Sequence, residues 1–254
     1  MSKYIKLQLI SIVVFLSVFG AVVSKGALSK NLNAHYEITW NSINLGEIFW
    51  GYSVNSESYY FEINLQSYGA VSKLLPFVGK YSSSGRIESG AFKPFKYYQS
   101  WKGKKKEKTI KIIFSNNKLD FFESVPPTKR VPKINFYELS NLIDPVSAVM
   151  QLLINNRSET IDRVFDGRRI YSISSTNKKD VKNKNIDGFN NLIQYNLVIS
   201  NYQNIWKDHN KNNLKKFQAI IGEVDNGFFL PLFFIIKNKG LVFKINLLEH
   251  TIKN

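Results

Sequence analysis

Apolar and polar residues alternate with a period of two along most of this chain, and this alternation limits the fold more than any other feature. In the stretch 59–66, apolar residues take every second position: Tyr59, Phe61, Ile63 and Leu65. Successive side chains of a strand point to opposite faces of its sheet, so this pattern is typical of a strand with one buried face. Similar patterns after residue 34 predict about a dozen strands.

The alternation stops at residues 126–143. Three prolines in this segment cannot donate the hydrogen bonds that a regular sheet needs: Pro126, Pro127 and Pro132. The apolar residues that follow them favour a packed connection over a disordered linker. We therefore expect two groups of strands, at about 34–125 and 160–250, joined by a loop and a helix at 126–156.

The segment 145–154 carries the signals of a helix. Asp144 can cap its first turn, and Pro145 suits its first helical position. Its apolar residues follow helical spacing along one face: Val146, Val149, Met150 and Leu153. Such a stripe needs a partner, and the predicted sheet supplies one, so we expect the helix to act as a lid or plug.

Together these patterns predict a mainly β fold, an antiparallel curved sheet or barrel of about a dozen strands with one short helix. After the first 24 residues about 230 remain, which is a normal length for a single sandwich or barrel. We therefore expect residues 25–254 to form a single domain. The chain has no cysteine, so a buried core must stabilise it without disulfides.

The first 24 residues predict export from the cytoplasm. Lys3 and Lys6 precede an apolar run from Leu7 to Val23, and Ser24 follows it. This layout is typical of a secretory signal peptide, and about 17 apolar residues also reach the lower limit for a membrane-spanning helix. We therefore expect a signal peptide or an N-terminal anchor helix at 1–24. The remaining chain is predicted to be periplasmic, either free or held at the inner membrane by this segment.

Lysine is the main source of the net charge of +16. The lysines gather around residues 102–111, 178–184 and 207–216, which the pattern places in polar loops. Such clusters are either solvated hairpin tips or a surface for anions such as acidic lipid head groups. No motif that reads nucleic acid accompanies them, so we expect no nucleic acid partner.

Residues for the common catalytic and metal sites are sparse. The chain has three histidines, His35, His209 and His250, and none has a second histidine at the spacing of a metal site. It has no Gly-x-Ser-x-Gly nucleophile turn and no phosphate-binding glycine loop. We therefore predict no catalytic, metal or cofactor site, and a protein that is not an enzyme.

Six short motifs, taken in order, resemble a bacterial exported family known as domain of unknown function 3108. They are Tyr36-Glu37-Ile38-Thr39-Trp40 with Leu45-Gly46-Glu47, Leu74-Leu75-Pro76-Phe77, Ser83-Ser84-Gly85, Lys93-Pro94, Asp144-Pro145-Val146-Ser147-Ala148, and Asp166-Gly167-Arg168-Arg169-Ile170-Tyr171. The resemblance covers roughly residues 34–250. It implies an envelope protein rich in β structure, with no established activity and no catalytic residues to transfer.

The same motifs have structural interpretations. Asp-Pro is a helix start, and Asp166-Gly167 is a hairpin turn. Gly46 and Gly85 are expected at bulges or at close approaches of two backbones.

A ligand groove is the functional hypothesis that the residues favour. Some strands are apolar on both faces, for example at Ile48-Phe49-Trp50 and Phe228-Phe229-Leu230. A packed two-sheet core explains this pattern, and so does a half-open barrel with an apolar groove. We predict that the groove binds a hydrophobic or lipid-like molecule, gated by the helix at 145–154 and the turn at 74–77. The predicted ligand-binding residues are Leu74, Leu75, Pro76, Phe77, Val149, Met150, Arg168 and Arg169.

The two arginines belong to this set because of the period of a strand. Adjacent strand residues point to opposite faces, so either Arg168 or Arg169 should point inward. A buried guanidinium needs a carboxylate partner or an anionic ligand. Asp166 and Asp162 are the candidate partners.

Two other functions stay open at this point. A structural or assembly factor would dock another envelope protein on an apolar surface. A hydrolase would need a cleft that holds carboxylates or histidines with strongly shifted pKa values.

Overall fold

A single antiparallel sheet of thirteen strands forms the framework of the described part of the chain. The structure is a computed structural model, and it describes residues 30–127, 132–154, 160–181, 186, 188–204, 214–225, 228–238 and 241–253. The predicted signal or anchor segment at 1–24 lies outside the described residues. The prediction of a mainly β, antiparallel fold is confirmed.

The strands follow the alternating segments of the sequence. Their bounds are β1 Lys30–Trp40, β2 Ile43–Val54, β3 Ser58–Ser67, β4 Phe77–Glu88, β5 Ala91–Gly103, β6 Glu107–Ser115, β7 Lys118–Val125, β8 Thr160–Phe165, β9 Arg169–Asp180, β10 Asn190–Asn204, β11 Lys216–Asp225, β12 Phe228–Asn238 and β13 Leu241–Lys253. Lys178 and Lys179 therefore lie in β9, and the prediction that they belong to a polar loop is wrong. In this strand Lys179 pairs with Gln194 of β10.

The sheet joins the two predicted groups of strands through the first and the last strand. Its order is β7-β6-β5-β4-β3-β2-β1-β13-β12-β11-β10-β9-β8. β1 pairs with β2 on one side and with β13 on the other, from Asn31 opposite Lys253 to Trp40 opposite Phe243. The edges of the sheet are therefore β7 and β8, which lie on either side of the connection between the two groups.

The segment at residues 140–143 bonds to both edge strands, and we call it the seam. Ser140 bridges to Lys118 of β7, and the N–H of Leu142 donates to the carbonyl of Asn117 at 3.0 Å. On the other side, the N–H of Phe165 in β8 donates to the carbonyl of Ile143 at 2.9 Å. The sheet is thus not closed by strand pairing, but the seam links its two edges into a barrel-like shape.

Helix α1 spans Gly69–Leu74 and helix α2 spans Pro145–Ile154. Helix α2 confirms the predicted bounds and the predicted cap, because Oδ1 of Asp144 accepts from the N–H groups of Val146 and Ser147 at 2.9 and 3.0 Å. Helix α1 was not predicted, and none of its residues is buried. In the described residues no helix combines the length and the apolar character that a bilayer crossing requires.

Aromatic side chains fill the inner side of the sheet beside β1–β5. The rings of Tyr36, Trp50, Tyr52 and Phe61 follow one another with centroids 5.9–6.3 Å apart. The hydroxyl of Tyr36 donates across the interior to the carbonyl of Pro231 at 3.0 Å. Aromatic rings bury large apolar areas, so this cluster contributes much of the hydrophobic stabilisation.

Gly85 confirms the expected close approach of two backbones. A Cβ at this position would lie 2.1 Å from the carbonyl oxygen of Lys93 and 2.6 Å from the hydroxyl of Tyr59. The pairing of β4 and β5 shifts register between Ser84 and Gly85, as a bulge requires. Gly46 is equally confined, with the carbonyl oxygen of Gln66 2.3 Å from the position of a Cβ.

Candidate functional site

The structure separates the predicted ligand-binding residues into three places. Leu74 ends helix α1 and is 72% exposed, and Leu75, Pro76 and Phe77 connect it to β4. Helix α2 instead contacts the opposite end of β3 and the middle of β4, through Tyr59 and Ser83. Since β3 rises about 3.3 Å per residue, roughly 25 Å separates the two helices along it. The turn at 74–77 and helix α2 therefore do not gate one common groove.

Val149 and Met150 lie on the buried side of helix α2. Both are fully inaccessible to solvent. The helix packs against β4, β5, β8 and β9, and the side chain of Gln151 accepts from the N–H of Phe92 at 2.8 Å. In this structure the helix is a plug whose apolar face belongs to the core. Ligand binding by Val149 and Met150 stays a prediction.

Asp144 holds the first turn of helix α2 in a buried polar cluster. Its Oδ2 accepts from the hydroxyls of Ser147 at 2.6 Å and Ser83 at 2.9 Å. The hydroxyls of Ser147 and Tyr59 are 2.6 Å apart. Burial raises the pKa of Asp144, and the hydrogen bonds from Ser147, Ser83 and the backbone oppose that rise. The Asp-Pro-x-Ser-Ala motif thus has a structural role, because it fixes the plug to β3 and β4.

Arg169 is the arginine that points inward, and it is paired. Its Nε and Nη2 lie 2.9 and 2.8 Å from Oδ2 of Asp166, and its side chain is 11% exposed. Oδ1 of Asp166 accepts from the N–H groups of Arg168 and Arg169 at 2.8 and 2.7 Å. The prediction of an inward arginine paired with Asp166 is confirmed. The other candidate, Asp162, accepts from the hydroxyl of Ser172 at 2.6 Å.

Aromatic residues surround this ion pair. The guanidinium of Arg169 lies 5.6 Å from the ring centroid of Tyr202, and Tyr171 is buried beside it. Burial alone would lower the pKa of Arg169, but the charge of Asp166 outweighs it and holds that pKa above its ordinary value. A pair so fully bonded stabilises the β8–β9 hairpin and leaves the Asp166 carboxylate saturated. Arg168 is exposed at the same turn.

The two described histidines lie on the paired strands β1 and β13. His35 lies in the middle of β1. Its ring stacks on Phe49 at 4.4 Å, and its nitrogens are 3.7 Å from Glu47 and 3.5 Å from Glu249. These distances exceed those of a good hydrogen bond. A depression of about 320 Å³ adjoins His35, Glu249 and His250.

His250 of β13 lines this depression and also contacts Phe189. Its ring centroid is 5.3 Å from that of Phe189. Burial lowers the pKa of His250. Within the described ranges, no group of three or more His, Cys, Asp or Glu residues is placed to hold a metal ion. His209 lies outside the described residues.

An apolar groove lies beside the outer face of β11 and β12, where β13 is no longer paired with β12 beyond the Phe233–Asn246 pair, and we call it the outer groove. Ile220 pairs with Phe233 across β11 and β12, while the neighbouring residues Ala219 and Ile221 are buried on the inner face. Ile186 and Phe189, from the connection between β9 and β10, line part of the groove. Its volume is about 530 Å³, and it is lined by Ile186, Phe189, Ile220, Leu232, Phe233, Leu247, Leu248 and His250.

The sequence contains one signal for this groove, the strands that are apolar on both faces. β11 and β12 carry apolar residues on both faces, as at Ile220 and Phe233. That pattern does not show which strands are neighbours. A register shift in β12, where Ile220 pairs with Phe233 and Ile221 with Pro231, adds a bulge that the local pattern does not reveal.

The chain is similar to a solved structure in its fold and to a protein family in its sequence. No curated protein matches the chain at a significant level. Among solved structures, a β-barrel-like protein of domain of unknown function DUF1849 from Brucella abortus matches with a TM-score of 0.52 and 10% sequence identity. The match covers 91% of this chain and 100% of that chain. At this identity the similarity concerns the fold alone.

The family comparison agrees with the motifs that the sequence carries. The sequence profile of the family described as protein of unknown function DUF3108 matches residues 35–194, which is more than half of the chain. The matched region includes the opening hairpin, the plug helix and the Asp166 turn. The chain therefore belongs to the DUF3108 family.

Proposed function

We propose that this protein binds a lipid-like apolar molecule in the outer groove and does so outside the cytoplasm, without catalysing a reaction. The outer groove is the observation that carries this proposal. Its volume of about 530 Å³ is within the range of small-molecule sites, which is roughly 300–1,000 Å³. Seven of the eight lining residues are apolar, and His250 is the polar member.

The exposed apolar side chains of the groove favour an apolar ligand. Leu248 is 54% exposed and Ile186 is 37% exposed. An exposed apolar patch of this kind marks an interaction site more often than an isolated surface leucine does. Binding would remove this apolar surface from water and would contribute about 25 cal/mol for each Å² buried.

The apolar segment from Leu7 to Val23 supports the proposed location. A secretory signal or an anchor would place the domain where lipids of the envelope are the abundant apolar molecules. A groove gated jointly by helix α2 and the turn at 74–77 would have to extend for roughly 25 Å along β3. We therefore assign the proposed ligand to the outer groove.

A binding titration tests the proposal. The delipidated full chain should bind a fluorescent fatty-acid probe with a one-to-one limit at micromolar concentration. Leu248→Lys should weaken the binding about tenfold or more, because it puts a charge against the acyl chain. The control is Val125→Lys, since Val125 is 52% exposed on β7, far from the outer groove in the strand order.

Two results would count against a lipid ligand in the outer groove. One is a titration that does not saturate at micromolar probe. The other is an equal loss of affinity in Leu248→Lys and Val125→Lys. Organic extracts of the purified protein provide a second measurement, because mass spectrometry should find a lipid with wild type and less of it with Leu248→Lys. An extract without lipid, together with one dominant protein partner in crosslinked cells, would favour an assembly factor.

A further inference from the structure

We propose that one end of the sheet docks on the surface of an anionic lipid bilayer. We call it the basic end, and it comprises Ile43, Tyr68, Lys73, Leu74, Val78 and Lys102 to Lys106. This inference concerns a surface other than the outer groove and does not depend on it.

Backbone contacts make the basic end continuous. The N–H of Tyr68 donates to the carbonyl of Leu45 at 3.2 Å, which places helix α1 beside the β1–β2 turn. Val78 pairs with Lys102, and Phe77 pairs with Gly103. Three neighbouring connections therefore form one surface: the β1–β2 turn, helix α1 with the turn after it, and the β5–β6 turn.

Large apolar side chains are exposed together on this surface. The exposed fractions are 51% for Ile43, 53% for Tyr68, 72% for Leu74 and 58% for Val78. Helix α1 has no buried residue; Val71 packs against the edge of the core, whereas Leu74 at the end of the helix stays exposed. Leucine, valine and tyrosine at an interface can enter the boundary between head groups and acyl chains.

Lysines surround these apolar residues. In the segments 40–45, 68–78 and 102–107 there are five lysines, at 73, 102, 104, 105 and 106, and one acidic residue, Glu107. Lys102 and Glu107 approach to only 4.0 Å, and both side chains are more than 70% exposed. Such a surface pair stabilises little and leaves the basic end strongly positive.

The combination points to a lipid surface and not to a single small anion. Lysine ammonium groups interact with acidic head groups as mobile point charges. The exposed apolar side chains between them would have no role in binding a free anion in water. An anionic bilayer is the occupant that satisfies both the charge and the apolar residues.

Sedimentation with vesicles tests this inference on the full chain. Binding is compared between vesicles of phosphatidylcholine and vesicles that also contain phosphatidylglycerol, at low and at physiological salt. The difference between the two vesicle types is the readout, since the apolar run at 7–23 can insert into both, and the variants below separate the basic end from Lys3 and Lys6. Wild type should bind the anionic vesicles at least about tenfold more tightly, and added salt should weaken this preference.

Two pairs of variants locate the surface. Lys104→Glu with Lys105→Glu should abolish the preference for anionic vesicles, whereas Lys178→Glu with Lys179→Glu should keep most of it despite the same change in net charge. Tyr68→Ser should weaken binding several-fold, whereas Tyr60→Ser, at a tyrosine that is 46% exposed near the other end of β3, should not.

Three outcomes would overturn the inference. They are equal binding to neutral and anionic vesicles, an equal effect of the two lysine pairs, and binding to soluble poly-glutamate that is as tight as binding to vesicles. The last result would indicate an acidic polypeptide partner. The fatty-acid titration stays unaffected by these variants, so failure here is distinguishable from failure of the proposed ligand groove.

Discussion

At the scale of single residues, Asp166 and Arg169 show how a buried charge determines a local structure. The carboxylate accepts two backbone N–H groups of its own turn and two N–H groups of Arg169. Gly167 completes the turn at a φ of +79°, which glycine adopts readily. The Asp-Gly-Arg-Arg motif therefore specifies the hairpin between β8 and β9, and chemistry on a ligand is not needed to explain it.

Removing the guanidinium of Arg169 should be strongly destabilising. Arg169→Met leaves Asp166 buried without its countercharge, and this should lower the free energy of unfolding by about 3–5 kcal/mol. Arg168→Met is the matched control, because Arg168 is exposed and its hydrogen bond to Asp166 comes from the backbone N–H, which leaves only a charge interaction for its side chain. It should change stability by about 0.5 kcal/mol or less. Urea denaturation measures both values.

A second variant separates the pair from its parts. Asp166→Asn combined with Arg169→Met removes both charges and should be more stable than Arg169→Met alone, since no buried charge is left unpaired. Equal losses in Arg168→Met and Arg169→Met would show that the pair is solvated and that this account is wrong.

At the scale of elements, the carboxylate of Asp144 is one of the groups that bond helix α2 to the sheet. Asp144 both caps the helix and accepts from Ser83 of β4. Because burial raises the pKa of Asp144, the folded state binds its proton more tightly than the unfolded chain does. The stability that comes from this group is therefore fully present below its unfolded pKa, and it is lost as the pH rises through the folded pKa.

The variant Asp144→Asn makes this dependence measurable. Asparagine has no charge to lose, so the stability of wild type relative to Asp144→Asn should fall as the pH rises from about 4 to neutral. Tyr59→Phe is the control, because it removes a hydroxyl from the same cluster and no carboxylate. Its difference from wild type should be the same at both pH values. A wild type that gains stability over Asp144→Asn with rising pH would contradict the argument.

Local patterns account for the elements that the sequence predicted. Asp144-Pro145 predicted the start of helix α2. The alternation of apolar and polar residues at 59–66 predicted nearly all of β3, which spans Ser58–Ser67. Helix α1 escaped prediction because it has only six residues and no buried stripe, and Tyr68 supplies no capping side chain. β4 begins at Phe77, within the turn predicted at 74–77, because Phe77–Lys80 pair with β5.

The outer groove and the pairing of β1 with β13 depend on partners far apart in the sequence. His35 and Glu249 lie opposite each other, and alternation alone cannot select such partners. A one-residue change of register would move every side chain of a strand to the other face. The predicted ligand-binding residues lie in separate places for the same reason. The turn at 74–77 and helix α2 were assigned to one groove without a known strand order.

At the scale of the whole molecule, the seam at residues 140–143 connects the two edge strands of the sheet. Unpaired edge strands invite pairing with other chains. Here the seam occupies hydrogen-bonding positions of both β7 and β8. Beside it, Phe136 and Phe165 stack with centroids 5.6 Å apart, and Phe122 of β7 contacts both rings.

Hydrogen exchange tests whether the seam belongs to the cooperative core. The amides of Leu142, Ile143 and Phe165 should exchange as slowly as those of the central strands, because they open only when the sheet does. The amides of Lys104 and Lys105, in an exposed turn, should exchange quickly in the same sample. Fast exchange at the seam with slow exchange in β1 and β13 would show that the two edges separate in solution.

The pairing of β1 with β13 also fixes an order of events in the making of this protein. A ribosome delivers a polypeptide from its amino end, so β1 emerges more than 200 residues ahead of the strand that covers one of its two flanks. Until those final residues arrive, β1 and β12 each offer an open row of backbone donors and acceptors. The sheet is therefore completed only when β13 has been synthesised. A chain that ended before β13 would expose unpaired edges on β1 and β12, and such edges can pair with other chains.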